Sequence, residues 1–106
     1  MKATLFLLGK DPKKLDVSGI TFPRSTNYPG IDVIQLAAEV LDVAPEEKVM
    51  FDHQDEDVLV ISQGESATEI NRGAAERAKD VADTLDGRTH WDKQPIWGNC
   101  LIIERK

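Results

Sequence analysis

The stretch KVMFDHQDEDVLVI, residues 48–61, decides the fold because it places two short apolar runs on either side of an acidic segment. The runs KVMF (48–51) and VLVI (58–61) have the length and the apolar content of strands. Polar and charged residues fill the space between them, as is typical of a solvated turn. The stretch therefore predicts a β-hairpin whose tip is acidic.

Further strands are predicted on both sides of this hairpin. KATLFLL (2–8) and CLIIE (100–104) are apolar runs of strand length. The first of them lacks the small-residue cleavage pattern of a signal peptide, so it predicts a strand and not a leader. VSGITF (17–22), bounded by prolines, indicates a short additional strand.

Two helices are predicted between the strands. From Ile31 the apolar residues recur at helical spacing, and this helix should end near Val43, before a proline. Ser66 and Glu69 have the spacing of a capping box, which predicts the start of the second helix. The apolar stripe of that helix consists mostly of small residues, namely Ala67, Ile70, Ala74, Ala78, Val81 and Leu85.

Without the 17–22 segment the order of elements is β-α-β-β-α-β, which predicts an α+β fold of the split, ferredoxin-like kind. We expect a two-layer sandwich with a four-stranded, mostly antiparallel sheet and an extra hairpin or loop at 10–30. The first and third strands should then lie in the middle of the sheet. A β-grasp-like layout, with a hairpin formed by 2–8 and 17–22, is the alternative. The length of 106 residues predicts a single domain, 1–106.

The strands of such a sheet should alternate between apolar and polar residues, because helices cover only one face. The runs TLFLL (4–8) and VLVI (58–61) are apolar at consecutive positions instead. The second face must therefore be covered as well, either by the 10–30 segment or by another chain. We expect homodimerisation through this face.

The negative charge is concentrated in one part of the chain. The net charge is −6, but residues 39–57 contain eight acids and one base, whereas the rest contains eleven acids and twelve bases. A field of this sign repels nucleic acid and attracts basic partners, so we expect no direct binding of nucleic acid. No apolar run approaches the ~20 residues that cross a bilayer. The single cysteine, Cys100, predicts a buried, inert thiol and fits a cytoplasmic location.

The acidic segment has residue types that suit a metal site, an acid/base site or a contact surface. It lacks the spacing of a calcium loop, and it offers no pair of histidines at helical spacing. On a regular strand Asp52 and His53 would point to opposite faces, which makes joint ligation awkward. We therefore expect a hairpin tip or a contact surface, with no metal and no cofactor.

The loop THWDKQPIW (89–97) contains both tryptophans of the chain. Such residues serve either as core or as anchors for a partner. We expect Trp97 to cover one end of the core, and Trp91 to be either core or anchor. His90 and Asp92 with Trp97 could instead line a pocket between the sheet and this loop.

These patterns predict a small, non-enzymatic interaction protein that binds a basic partner protein through an acidic patch. Its role would be that of a regulator, for example a phage or mobile-element inhibitor that mimics the charge of nucleic acid. The alternative is a small ferredoxin-like enzyme or ligand sensor that uses the 89–97 pocket. The predicted contact residues are Glu46, Glu47, Asp52, Asp55, Glu56, Asp57 and Trp91, with Tyr28 as a second apolar anchor; Lys10, Lys13 and Lys14 form a basic loop that could meet this patch in a second copy.

Overall fold

A computed structural model describes residues 2–17, 31–45, 48–54, 57–64, 67–84 and 95–105, and the structural statements below concern these residues. Several residues singled out above lie outside them: Tyr28, Glu46, Glu47, Asp55, Glu56, Ser66, Leu85, His90, Trp91 and Asp92.

The described chain forms five strands and two helices. In chain order they are β1 (Lys2–Phe6), β2 (Lys13–Leu15), α1 (Ile31–Leu41), β3 (Met50–Gln54), β4 (Val58–Ser62), α2 (Arg72–Thr84) and β5 (Cys100–Glu104). The strands make one sheet in the order β2-β1-β5-β4-β3, and every neighbouring pair is antiparallel. The α+β character and the predicted β3–β4 hairpin are confirmed.

The ferredoxin-like split is not confirmed, and the sheet has five strands instead of the predicted four. In the split arrangement the first and third strands of the β-α-β-β-α-β order lie together in the middle of the sheet. Here β5 lies between β1 and β4 and pairs with both. The fifth strand is β2, which pairs with β1. The turn between the two strands is closed by a hydrogen bond from Lys10 N to Leu7 O (3.1 Å).

The fifth strand lies earlier in the chain than the predicted strand VSGITF, of which only Val17 is among the described residues. It covers Lys13–Leu15, and Val17 follows it as a buried core residue. Residues 18–22 are outside the described part of the chain. A β1–β2 hairpin is a feature of the β-grasp-like alternative, but it does not by itself establish that layout.

The two helices pack on opposite faces of the sheet. The face covered by α1 contains Leu59, Ile61, Leu101 and Ile103. The other face carries the alternate residues of the strands, namely Phe6, Val58, Val60, Cys100 and Ile102. These residues pack with Ala74, Ala78 and Val81 of α2. Every residue of β4 and of β5 is consequently buried.

This arrangement explains why the sheet strands are apolar at consecutive positions. Among the described residues the second face is covered by α2, whereas the sequence led us to expect the 10–30 segment or a second chain there. The reason is that the split template places both helices on one face, whereas here they are divided between two. The expectation of a homodimer depended on an uncovered sheet face, and α2 covers that face.

Helix α2 begins later than the capping box at Ser66 and Glu69 predicts. Its first residue is Arg72, and the side chain of Asn71 caps it: Asn71 Oδ1 accepts a hydrogen bond from Ala74 N (3.1 Å). The preceding residues pair with the segment before β5, since Gly98 N donates to Glu69 O and Asn71 N donates to Ile96 O, both at 2.7 Å. Within the described chain, neither helix is both long and apolar enough for a bilayer span.

Candidate contact surface at one end of the sheet

The ends of β1 and β4 and the start of β5 are tied together by two amide side chains. Leu8 N donates to Asn99 Oδ1 (2.9 Å), and Asn99 N donates to Gln63 Oε1 (2.8 Å). Gln63 Nε2 donates in turn to Leu41 O, the last residue of α1, at 2.7 Å. Such side chain-to-backbone bonds satisfy groups at strand and helix ends that have no partner within their own element. The end of α1 is therefore fixed to this end of the sheet.

Asn71 fixes the start of α2 at the same end. Its Nδ2 donates to Phe6 O (2.8 Å) and to Gly98 O (2.9 Å), while its Oδ1 caps the helix. The residue is buried, and both donors and the acceptor of its amide are in use. Because every one of these partners is a backbone group, Asn71 is a structural residue.

Two glycines allow three loop segments to approach closely at this end. Gly98 has a φ of +77°, and a Cβ there would collide with Ala67 and with Gln63 Oε1. Gly64 has a φ of +57°, and a Cβ there would lie 2.7 Å from the Cβ of Met50. Gly64 with the start of β3, and residues 67–71 with the 96–99 segment, therefore make up the described surface at this end of the sheet.

Three large apolar side chains are exposed on this surface. The exposed fractions are 40% for Met50, 47% for Ile70 and 36% for Trp97, and Ile70 and Trp97 face each other in an isolated antiparallel bridge. We call Met50, Ile70 and Trp97 the apolar end surface. Exposed apolar side chains that lie together on rigid backbone are typical of contact sites, whereas isolated ones need no explanation.

The positions of Trp97 and Ile70 correct two expectations. Trp97 was expected to cover the core, but its neighbour Ile96 is the fully buried residue there. Ile70 was expected on the buried stripe of α2, but it precedes the helix and is exposed. Period-two alternation along 95–97, an extended segment before β5, is the sequence signal that would have placed Ile96 inward and Trp97 outward.

The two edge strands of the sheet carry charged residues of opposite sign. Strand β3, at one edge, carries Asp52, and Asp57 follows it just before β4. Strand β2, at the other edge, carries the exposed residues Lys13 and Lys14. Five strands about 4.8 Å apart separate these edges by roughly 19 Å. Lys13 and Lys14 thus lie on the edge strand opposite to the one that carries Asp52.

Asp52 is not part of a regular strand. Phe51 pairs with Ile61 and His53 pairs with Val60, so Asp52 is the extra residue of a β-bulge. The expectation that Asp52 and His53 alternate between faces assumed a regular strand and is wrong for this reason. Burial raises the pKa of the Asp52 carboxyl, and a hydrogen bond with Ser62 opposes this rise.

Cys100 lies close to this carboxyl in the interior. Its thiol is free and buried, as predicted, and burial raises its pKa well above the ordinary value, with a further rise from the charge of Asp52. A thiol held in its neutral form is a poor nucleophile and a poor metal ligand. Among the described residues, no three histidine, cysteine, aspartate or glutamate side chains come together as a metal site would require.

A groove of about 420 Å³ lies between the β1–β2 connection and the start of α2. Its charged lining residues are Lys10, Asp11, Glu69 and Arg72, two of each sign. The pocket expected between the sheet and the 89–97 loop is a different place. Of its three residues only Trp97 is in the described part of the chain, and Trp97 does not line this groove.

The fold and the surface define a class of protein: an antiparallel sheet between two helices with an exposed apolar end. Comparison of the chain with protein-family models, with curated proteins and with solved structures finds no match.

Proposed function

We propose that this protein is a non-enzymatic interaction module that binds the basic surface of another protein through the apolar end surface and the acids around it. The observation that carries the proposal is the exposed pair of Ile70 and Trp97, which belongs to backbone held by Asn71 and Gly98. Site residues on fixed backbone bind with little loss of conformational entropy.

The apolar part would supply most of the binding free energy. Tryptophan is enriched among the residues that dominate protein interfaces, especially where neighbouring contacts exclude water. Burial of apolar area stabilises a complex by about 25 cal/mol per Å² before the entropic cost of association. Trp97 therefore takes the role of anchor that the sequence suggested for Trp91.

The acidic residues would select the partner. Glu39 and Asp42 are exposed at the end of α1, which the bond from Gln63 to Leu41 O holds at this end of the sheet. Glu46 and Glu47 follow in the chain between α1 and β3. Complementary charge accelerates association and excludes partners of the same sign. The nucleic-acid-binding face of another protein is the natural complement, which is the role of an inhibitor that mimics nucleic-acid charge.

The apolar contribution is tested by capturing a partner from an extract of the native host on immobilised protein. We expect Ile70→Ser with Trp97→Ala to reduce capture at least tenfold. Ile31→Ser is the matched control, because Ile31 is 63% exposed and lies at the opposite terminus of α1. Equal capture by the double variant and the control would show that the apolar end surface is not the contact.

The charge contribution is tested with two triple reversals of equal net charge. Glu39→Lys, Asp42→Lys and Glu46→Lys reverse acids at and just after the end of α1, whereas Glu76→Lys, Asp80→Lys and Asp83→Lys alter exposed positions of α2. We expect the first set to abolish capture at low salt and the second to preserve it. Excess duplex DNA should also displace the protein from its partner. Capture that is insensitive to DNA would contradict nucleic-acid mimicry.

A further inference from the structure

The bulge at Asp52 leaves one polar atom in an unfavourable position. Asp52 Oδ2 is shielded from solvent and has no hydrogen-bond partner in the described part of the chain. Carboxylate oxygens that are shielded from solvent normally accept hydrogen bonds, because a charge with neither water nor a partner is unfavourable. The strand that carries this carboxyl, β3, is an edge strand paired only with β4 among the described strands.

The groups that face this carboxyl are mostly uncharged. From β4, Ser62 hydrogen-bonds to it, and from β5 the neutral thiol of Cys100 lies close to it. On β3 itself the backbone of Asp52 contributes a hydrogen bond, and His53 is the next residue. The charged pair on the α2-covered face, Arg77 and Glu104, is bidentate with distances of 2.8 and 3.0 Å from Arg77 Nη2. This pair lies at the other end of β5, and its two side chains bind each other.

We propose that protonation of Asp52 controls the pairing of the edge strand β3 with β4: the neutral carboxyl stabilises the pairing of the bulged strand, and ionisation of the carboxyl weakens it. A neutral carboxyl has no charge to desolvate, and its hydroxyl can donate a hydrogen bond. The ionised form leaves Oδ2 charged and unpaired in the same space. This inference concerns the strand itself and holds or fails independently of the proposed function.

The sign of the effect follows from the direction in which the pKa moves. Burial raises the pKa of Asp52 in the folded protein, so the folded state binds the proton more tightly than the unfolded state does. The stabilisation is complete below the unfolded pKa of about 3.9 and is lost as the pH rises through the folded value. Each unit of difference corresponds to a factor of about ten in the opening equilibrium of β3.

The experiment measures two quantities by NMR on the full chain between about pH 3 and about pH 8. The first is the titration midpoint of the Asp52 carboxyl carbon. The second is the protection of the Met50–Gln54 amides against hydrogen exchange, corrected for intrinsic rates and divided by the protection of the β5 amides. We expect a midpoint above the ordinary value and a ratio that falls about tenfold per unit of that elevation.

Variants distinguish control by ionisation of Asp52 from a merely structural role of this residue. Asp52→Asn cannot ionise, so its protection ratio should be independent of pH, whereas the exposed control Asp80→Asn should behave as the original protein does. Ser62→Ala removes the hydrogen bond that favours the charged form, so the midpoint and the fall in protection should both move to higher pH. A midpoint at or below the ordinary value, or an unchanged pH profile in Asp52→Asn, would overturn the proposal. Should Asp52→Asn fail to fold, the original protein and Ser62→Ala decide the question.

Discussion

Asn71 shows why some decisive residues are not evident from the sequence. The pattern around it favours a capping box at Ser66 and Glu69, because that motif depends only on local spacing. The helix is instead capped by Asn71, whose amide donates to two carbonyl groups that are 65 and 27 residues away in the chain, Phe6 O and Gly98 O. A rule based on local spacing does not include partners that are distant in the chain. The sequence therefore predicts the second helix but not its first residue.

Replacement of Asn71 by alanine should destabilise the protein by about 2–4 kcal/mol. The variant loses the helix cap, worth about 1 kcal/mol, and leaves two buried carbonyl groups without their donor. Urea denaturation followed by circular dichroism measures this loss. Asn71→Asp is an informative control, because it keeps an acceptor for Ala74 N but turns a carboxyl oxygen toward the two carbonyls. If Asn71→Asp is as stable as the original protein, the cap alone explains the role of Asn71.

The elements themselves were more predictable than their boundaries. The strands β1, β4 and β5 and the start of α1 agree with the apolar patterns, because burial on a sheet or helix face imposes a short-range period. The β3 bulge and the pairing of 69–71 with 96–98 were missed, since both depend on contacts between segments. For the same reason the exposed pair of Ile70 and Trp97 was not predicted as a contact surface.

The close approach of the 67–71 and 96–99 segments depends on the lack of a side chain at Gly98. Gly98→Ala should cost about 1–2 kcal/mol for the positive φ and a further 1–3 kcal/mol for the collision with Ala67 and Gln63. Gly9→Ala is the matched control: its φ is +72°, but a Cβ there meets nothing within 4 Å. Thermal unfolding of both variants isolates the packing contribution as their difference. Equal losses would show that the two segments are not held in close contact.

The described part of the molecule is a sheet between two helices, and the apolar pattern of the strands indicates why. Consecutive apolar residues in the central strands indicate that both faces are covered. The covering element could not be identified from the sequence, because α2 has a stripe of small residues that suits either face of a sheet. The same sheet order places Lys13 and Lys14 of β2 and Asp52 of β3 on opposite edge strands.

This layering predicts the order in which the backbone opens. Strands β4 and β5 have two strand neighbours each and are covered on both faces, whereas β2 has three residues, of which Lys13 and Lys14 are exposed. Amides with complete burial exchange only through global unfolding, and edge amides exchange through local opening. Native-state hydrogen exchange should therefore give β4 and β5 the full free energy of unfolding, and β2 should be several kcal/mol less protected. Slower exchange in β2 than in β5 would be incompatible with a sheet in which β5 is the central strand.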